Sequence, residues 1–149
     1  MSHQHLFIFH PGRWSGEGTV SFHSSPEEMF FATEWSIDPK NGEGISCRQK
    51  VKMEGVEQEL KNDFYFYDLT DDRFSLTLTS PYLEKVIGTG LIDDQRIAWE
   101  FHQEGGGTLE GFEVYEIQDD GSYHIHAEYS TPDQFRTIIN GRIKQVKME

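Results

Sequence analysis

Apolar and polar residues alternate with period two along much of the chain. Between residues 73 and 80, Phe74, Leu76 and Leu78 share one parity and Ser75, Thr77 and Thr79 the other. Residues 96–103 repeat this, with Ile97, Trp99 and Phe101 opposed by Arg96, Ala98, Glu100 and His102. Residues 45–54 set Ile45, Cys47, Val51 and Met53 against Ser46, Arg48, Lys50 and Lys52. Successive side chains of a β-strand point to opposite faces, so each run reads as a strand with one apolar face.

Turn-forming residues punctuate these runs at short, regular intervals: Ser24-Ser25-Pro26, Pro39-Lys40-Asn41-Gly42, Glu54-Gly55, Thr70-Asp71-Asp72 and Ser80-Pro81 in the first half. Asp93-Asp94, Gly105-Gly106-Gly107, Asp119-Asp120-Gly121 and Thr131-Pro132-Asp133 continue the series. The spacing predicts ten strands, over 17–24, 28–37, 45–54, 57–68, 73–80, 84–92, 96–103, 107–118, 122–130 and 133–146. The best helical candidate, near Pro26 to Phe30, is one turn at most. In 107–118 the apolar parity changes, from Phe112 and Val114 to Tyr115 and Ile117, which predicts a β-bulge between Gly111 and Val114.

Short connections favour pairing of consecutive strands, and a ten-strand meander hides its edges best by closing. The expected fold is therefore all-β: one antiparallel up-and-down barrel, lipocalin-like, spanning residues 1–149 as a single domain. Eleven Phe, six Tyr and three Trp supply its core and argue against disorder.

Charge and cysteine usage narrow the partners. The formal net charge is −13, and the densest basic group is only Arg48, Lys50 and Lys52, so nucleic acid and anionic membranes are poor partners. One cysteine, Cys47, precludes an internal disulfide framework. Residues 6–9 are too short an apolar run for a secretory signal, and no stretch approaches the ~20 residues of a membrane span. The expected location is the cytoplasm, without membrane insertion; the oligomeric state is left open.

Gly12-Arg13-Trp14, followed by Ser15-Gly16-Glu17-Gly18 and a first strand, resembles the G-x-W entry of the calycin superfamily. That superfamily includes lipocalins, fatty-acid-binding proteins, avidins and nitrobindin-like barrels. The resemblance implies that Trp14 plugs one end of the barrel and that a basic residue of the last strand, here Arg142, packs over it as a barrel-closing pair. A guanidinium over an indole face contributes ~0.5–2 kcal/mol. The chain lacks a lipocalin's C-terminal helix and T-D-Y turn and the helical lid of fatty-acid-binding proteins. Its last strand holds no His to ligate haem in the nitrobindin manner.

With the apolar parity inward, the expected cavity lining includes Trp35, Met53, Phe64, Phe66, Trp99, Phe101 and Tyr129. Phe31, Phe74, Leu76 and Tyr123 share that parity. So do the polar residues Thr33, Gln49, Asn62, Gln103 and Thr137. An apolar chamber with a few polar groups is the usual composition of a ligand site; the competing reading is a filled core.

His124-Ile125-His126-Ala127-Glu128 places two His and a Glu on one strand face, a weak metal-ligand pattern with no identifiable third ligand position. Its apolar members belong inside, which puts His124 and His126 outside. Cys47 reads as a buried, inert thiol. No catalytic motif is present, and the inward titratable groups are Tyr residues with His10 or His102 in addition.

These observations point to a carrier or sensor of a small hydrophobic or amphipathic molecule. No cofactor is predicted, and a tetrapyrrole is among the candidate ligands. The alternatives are an isomerase or lyase on a calycin-like barrel, and a protein-interaction module with a filled core.

Overall fold

The computed structural model describes residues 5–22, 25–81, 83–104, 109–130 and 136–146. The expected turns at 105–107 and 131–133 lie outside them, as does Ser24. Ten strands occur in chain order: β1 (Gly12–Phe22), β2 (Ser25–Ile37), β3 (Ile45–Met53), β4 (Leu60–Tyr67), β5 (Arg73–Ser80), β6 (Leu83–Ile92), β7 (Arg96–Gln103), β8 (Glu110–Ile117), β9 (Tyr123–Ser130) and β10 (Arg136–Gln145). Each pairs antiparallel with its neighbour in sequence, and β1 pairs with β10 to close the barrel. Closure leaves no unpaired edge. Among the described residues there is no helix; the segment from Pro26 to Phe30 belongs to β2.

Alternation is strict where the sequence shows it. In β5 the buried residues are Phe74, Leu76 and Leu78; in β7 they are Ile97, Trp99 and Phe101. β1 begins at Gly12, earlier than the expected residue 17, so Trp14 lies inside the strand. Gly12 adopts a φ of 154°, which L side chains rarely accept. At the closing seam Gly18 faces Gly141, and a Cβ on Gly18 would sit 2.1 Å from the Asn140 carbonyl oxygen. Glycine there lets β1 and β10 approach.

The expected bulge in β8 does not form. Its register with β7 and with β9 is continuous from Glu110 to Glu116. The odd-numbered residues face inward throughout, so Glu113 and Tyr115 are buried while Phe112 and Val114 are half-buried on the outer face. Phe112 packs there against the His126 ring, at 6.1 Å between centroids. An apolar outer pair had disguised an unbroken strand.

Candidate functional site

One end of the barrel is stoppered by residues 5–10, which precede β1. Phe7 and Ile8 are fully buried, and Phe7 sits among Trp14, Trp35, Tyr115 and Tyr123 at ring separations of 4.9–5.5 Å. His5 pins the stopper. Its Nε2–H donates to the Asp93 carbonyl oxygen, and its Nδ1 pairs with the Tyr123 hydroxyl, each at 2.7 Å.

The calycin resemblance placed Arg142 over Trp14. The register separates them. Trp14 lies opposite Gln145 and points inward, whereas Arg142 lies opposite Glu17 on the outer face and is exposed. One residue's offset along β10 reverses the face, because the side-chain period is two. Phe7 and Tyr123 cover the Trp14 ring instead, edge-on at 5.4 and 5.5 Å.

Above the stopper lies an aromatic floor. Trp35, Phe66 and Trp99 are each at most 2% exposed, and Trp99 stacks on Tyr115 at 4.9 Å. These three, expected as lining, are not among the residues that line the chamber; they pack in the core beneath it.

Between this floor and the opposite end lies a cavity of about 500 Å³. Its wall includes Thr33, Gln49, Met53, Asn62, Phe64, Phe101 and Tyr129, all expected from sequence, together with Phe31 and Thr137. Gln103 stands at the end of β7 and is not part of the wall; its side-chain oxygen accepts from the Leu109 N–H at 3.5 Å. Leu78, Ile125, Ala127 and Ile139 make much of the remainder apolar.

Two polar groupings interrupt the apolar wall. On β2–β4, Asn62 Nδ2 donates to Gln49 Oε1 at 3.0 Å, and Gln49 Nε2 donates to Thr33 Oγ1 at 3.3 Å. On β8 stands Glu113, 6% exposed. The Tyr115 hydroxyl donates to its Oε1 at 2.6 Å and Trp99 Nε1–H to its Oε2 at 3.3 Å. The Tyr129 hydroxyl also bonds to this carboxyl group. β3 and β8 are five strands apart in either direction around the barrel, so the two polar groupings occupy opposite walls.

Burial holds the Glu113 carboxyl above the ordinary carboxylate range, against the opposing pull of its hydrogen bonds from Tyr115, Trp99 and Tyr129. Burial and the adjacent carboxylate push both phenols well above their usual range. No Lys, Arg or His lies among the described residues of the wall. Sequence reasoning missed Glu113 because the supposed bulge reassigned its face. The odd parity of Tyr115 and Ile117, carried back without a bulge, points to it.

The remaining candidates lie elsewhere. His126 is on the outer face, with Nδ1 against Asn140 Oδ1 at 2.8 Å and Nε2 against Glu128 Oε2 at 2.9 Å. Both ring nitrogens are engaged, and His124 is exposed opposite Arg142 and Glu116. Among the described residues no group of three His, Cys, Asp or Glu could hold a metal ion. His10 and His102 are exposed. Cys47 is buried, and burial and the nearby Asp38 charge raise its thiol far above the reactive range. No helix of the described residues is long and apolar enough to cross a membrane.

No family model and no curated protein matches the chain. Solved structures do. Rv2717c from M. tuberculosis superposes with a TM-score of 0.71 at 12% identity, over 94% of this chain and 93% of that one. The S-type phycobiliprotein lyase CPES from Guillardia theta superposes with a TM-score of 0.70 at 10% identity, over 94% and 90%. The likeness is one of fold: each aligns with this closed ten-strand barrel over nearly its whole length. Trp14 lies at the stoppered end, where aromatic residues of the N-terminal segment and β9 cover it.

Proposed function

We propose that the protein binds a small hydrophobic or amphipathic molecule inside the barrel, as a carrier or sensor. The observation that carries this reading is the cavity of about 500 Å³ above the aromatic floor. Ligand sites range over ~300–1,000 Å³ and are mostly apolar with a few placed polar groups. Here the polar groups stand on opposite walls, so an occupant has an apolar body and up to two polar anchors. One structural neighbour is a phycobiliprotein lyase, which keeps a tetrapyrrole among the candidate ligands.

The neutral fluorescent probe N-phenyl-1-naphthylamine tests the reading. It should bind at one saturable site with a blue-shifted emission. Ala127→Phe, which fills space in the wall, should weaken binding about tenfold, the equivalent of ~1.4 kcal/mol. Absence of saturable binding to the wild-type protein would contradict the reading.

A second reading, an isomerase or lyase, is favoured by one observation: Glu113 is an inward titratable group beside two phenols. A ligand returned chemically altered by the wild-type barrel and unaltered by Glu113→Gln would establish it.

A further inference from the structure

We infer that the cavity is specific for amphipathic molecules whose polar end is a protonated amine or another cationic N–H donor, and that Glu113 is the group that receives it. The inference rests on the ligand-binding reading above and names its ligand class.

Three observations converge. First, the described residues of the wall include no Lys, Arg or His, so a fatty acid or other organic anion would bury its charge without a partner. Second, Glu113 is the only Asp or Glu among those residues, and it is 6% exposed. Third, its neighbours are all donors. Tyr115 Oη, Trp99 Nε1 and Tyr129 Oη contribute hydrogen bonds and no positive charge. Donors arranged in this way favour an ionised carboxylate, and the apolar surroundings oppose it. The missing component is a cation.

A ligand ammonium supplies it. A carboxylate has about four acceptor positions. Three protein donors leave room for one more on the cavity side, where a ligand N–H can approach. In a low-dielectric chamber such a contact is far stronger than at the surface. An alkyl chain then lies against Leu78, Ile125 and Ile139, with the polar ladder of Thr33, Gln49 and Asn62 across the chamber.

Competition against N-phenyl-1-naphthylamine with dodecylammonium, dodecanol and dodecanoate tests the inference. At 0.15 M salt the acidic exterior is screened beyond about 8 Å. Dodecylammonium should displace the probe about tenfold more tightly than dodecanol, ~1.4 kcal/mol, and dodecanoate should be the weakest. In Glu113→Gln, ammonium and alcohol should fall within about twofold of each other while dodecanol binding persists. Equal affinity of ammonium and alcohol for the wild-type protein overturns the inference and leaves the ligand-binding reading intact. So does an undiminished ammonium preference in Glu113→Gln, which would assign it to the exterior charge. Failure of all three to displace a bound probe overturns the inference alone, and failure of the probe to bind overturns both. The wild-type comparison stands even if the variant does not fold.

Discussion

The Tyr115 hydroxyl donates to the Glu113 carboxyl over 2.6 Å, from the same inner face of β8 two residues further on. Successive inward positions of one strand thus place a phenol and a carboxyl side by side within an otherwise apolar chamber. The carboxyl is buried and has no cation partner among the described residues, so its proton is coupled to folding and to whatever enters the cavity.

The coupling has a definite sign. Burial raises the Glu113 pKa in the folded chain, so the native state keeps a proton that the unfolded chain releases. Its contribution is fully present below the ordinary carboxylate range and is lost as pH rises through the raised folded value. Each tenfold displacement of that equilibrium is worth ~1.4 kcal/mol. Melting curves of wild type and Glu113→Gln should therefore diverge with pH, the variant gaining relative stability from pH 4 to pH 8, a range of ordinary carboxylate and neutral values. A stability difference independent of pH would contradict the raised value.

The closed end gives an opposed pair of expectations. Trp14→Ala removes a 2%-exposed ring packed on Phe7 and Tyr123, and should cost ~3–5 kcal/mol by denaturant melting. Arg142 is exposed on the outer face, so Arg142→Ala should change stability by no more than ~0.5 kcal/mol. A large Arg142→Ala effect would argue for the guanidinium–indole contact that the register excludes.

The stopper is held across 118 residues of sequence by the His5–Tyr123 hydrogen bond. Tyr123→Phe removes the hydroxyl that pairs with His5 Nδ1 and should cost the ~0.5–1.5 kcal/mol of one intramolecular hydrogen bond. Hydrogen exchange at residues 5–10 should quicken more than at β5. Equal change at both would mean that the stopper and the barrel open as one unit.

Outside, Asn140 and Glu128 hold His126 above its ordinary pKa, and His126 and Arg136 hold Glu128 below its own. The His126 contribution is present below the ordinary imidazole value and disappears as pH rises through its raised one. That of Glu128 is present above the ordinary carboxylate value and disappears as pH falls through its lowered one. The pair is half-exposed, so each should be worth only ~0.2–1 kcal/mol. NMR titration of the His126 ring in wild type and Asn140→Ala should show the imidazole pKa fall in the variant.

The fold was legible because a closed barrel with one wet face writes its alternation into most of its strands. Phe74, Leu76 and Leu78 in β5 and Ile97, Trp99 and Phe101 in β7 leave no other reading. The cavity wall was legible for the same reason at Thr33, Gln49 and Asn62, polar residues at inward positions. β8 was misread because Phe112 and Val114 find partial cover outside the barrel, so hydrophobicity alone gave the wrong face. The stopper was hidden because residues 6–9 form no strand; the burial of Phe7 comes from tertiary packing on Trp14, Trp35 and Tyr123. Arg142 shows the remaining limit: sequence placed it on the last strand, but only the pairing of Glu17 with Arg142 fixed its face.

The proposed ligand site is the chamber between the aromatic floor and the opposite end of the barrel. Isotope-filtered NMR of the complex with N-phenyl-1-naphthylamine tests it most directly. Intermolecular cross-peaks should connect the probe to the methyl groups of Leu78, Ile125, Ala127 and Ile139, which line the chamber. Cross-peaks only to Leu91, which is 66% exposed on the outer face, or no cross-peaks with a saturating probe, would contradict the account.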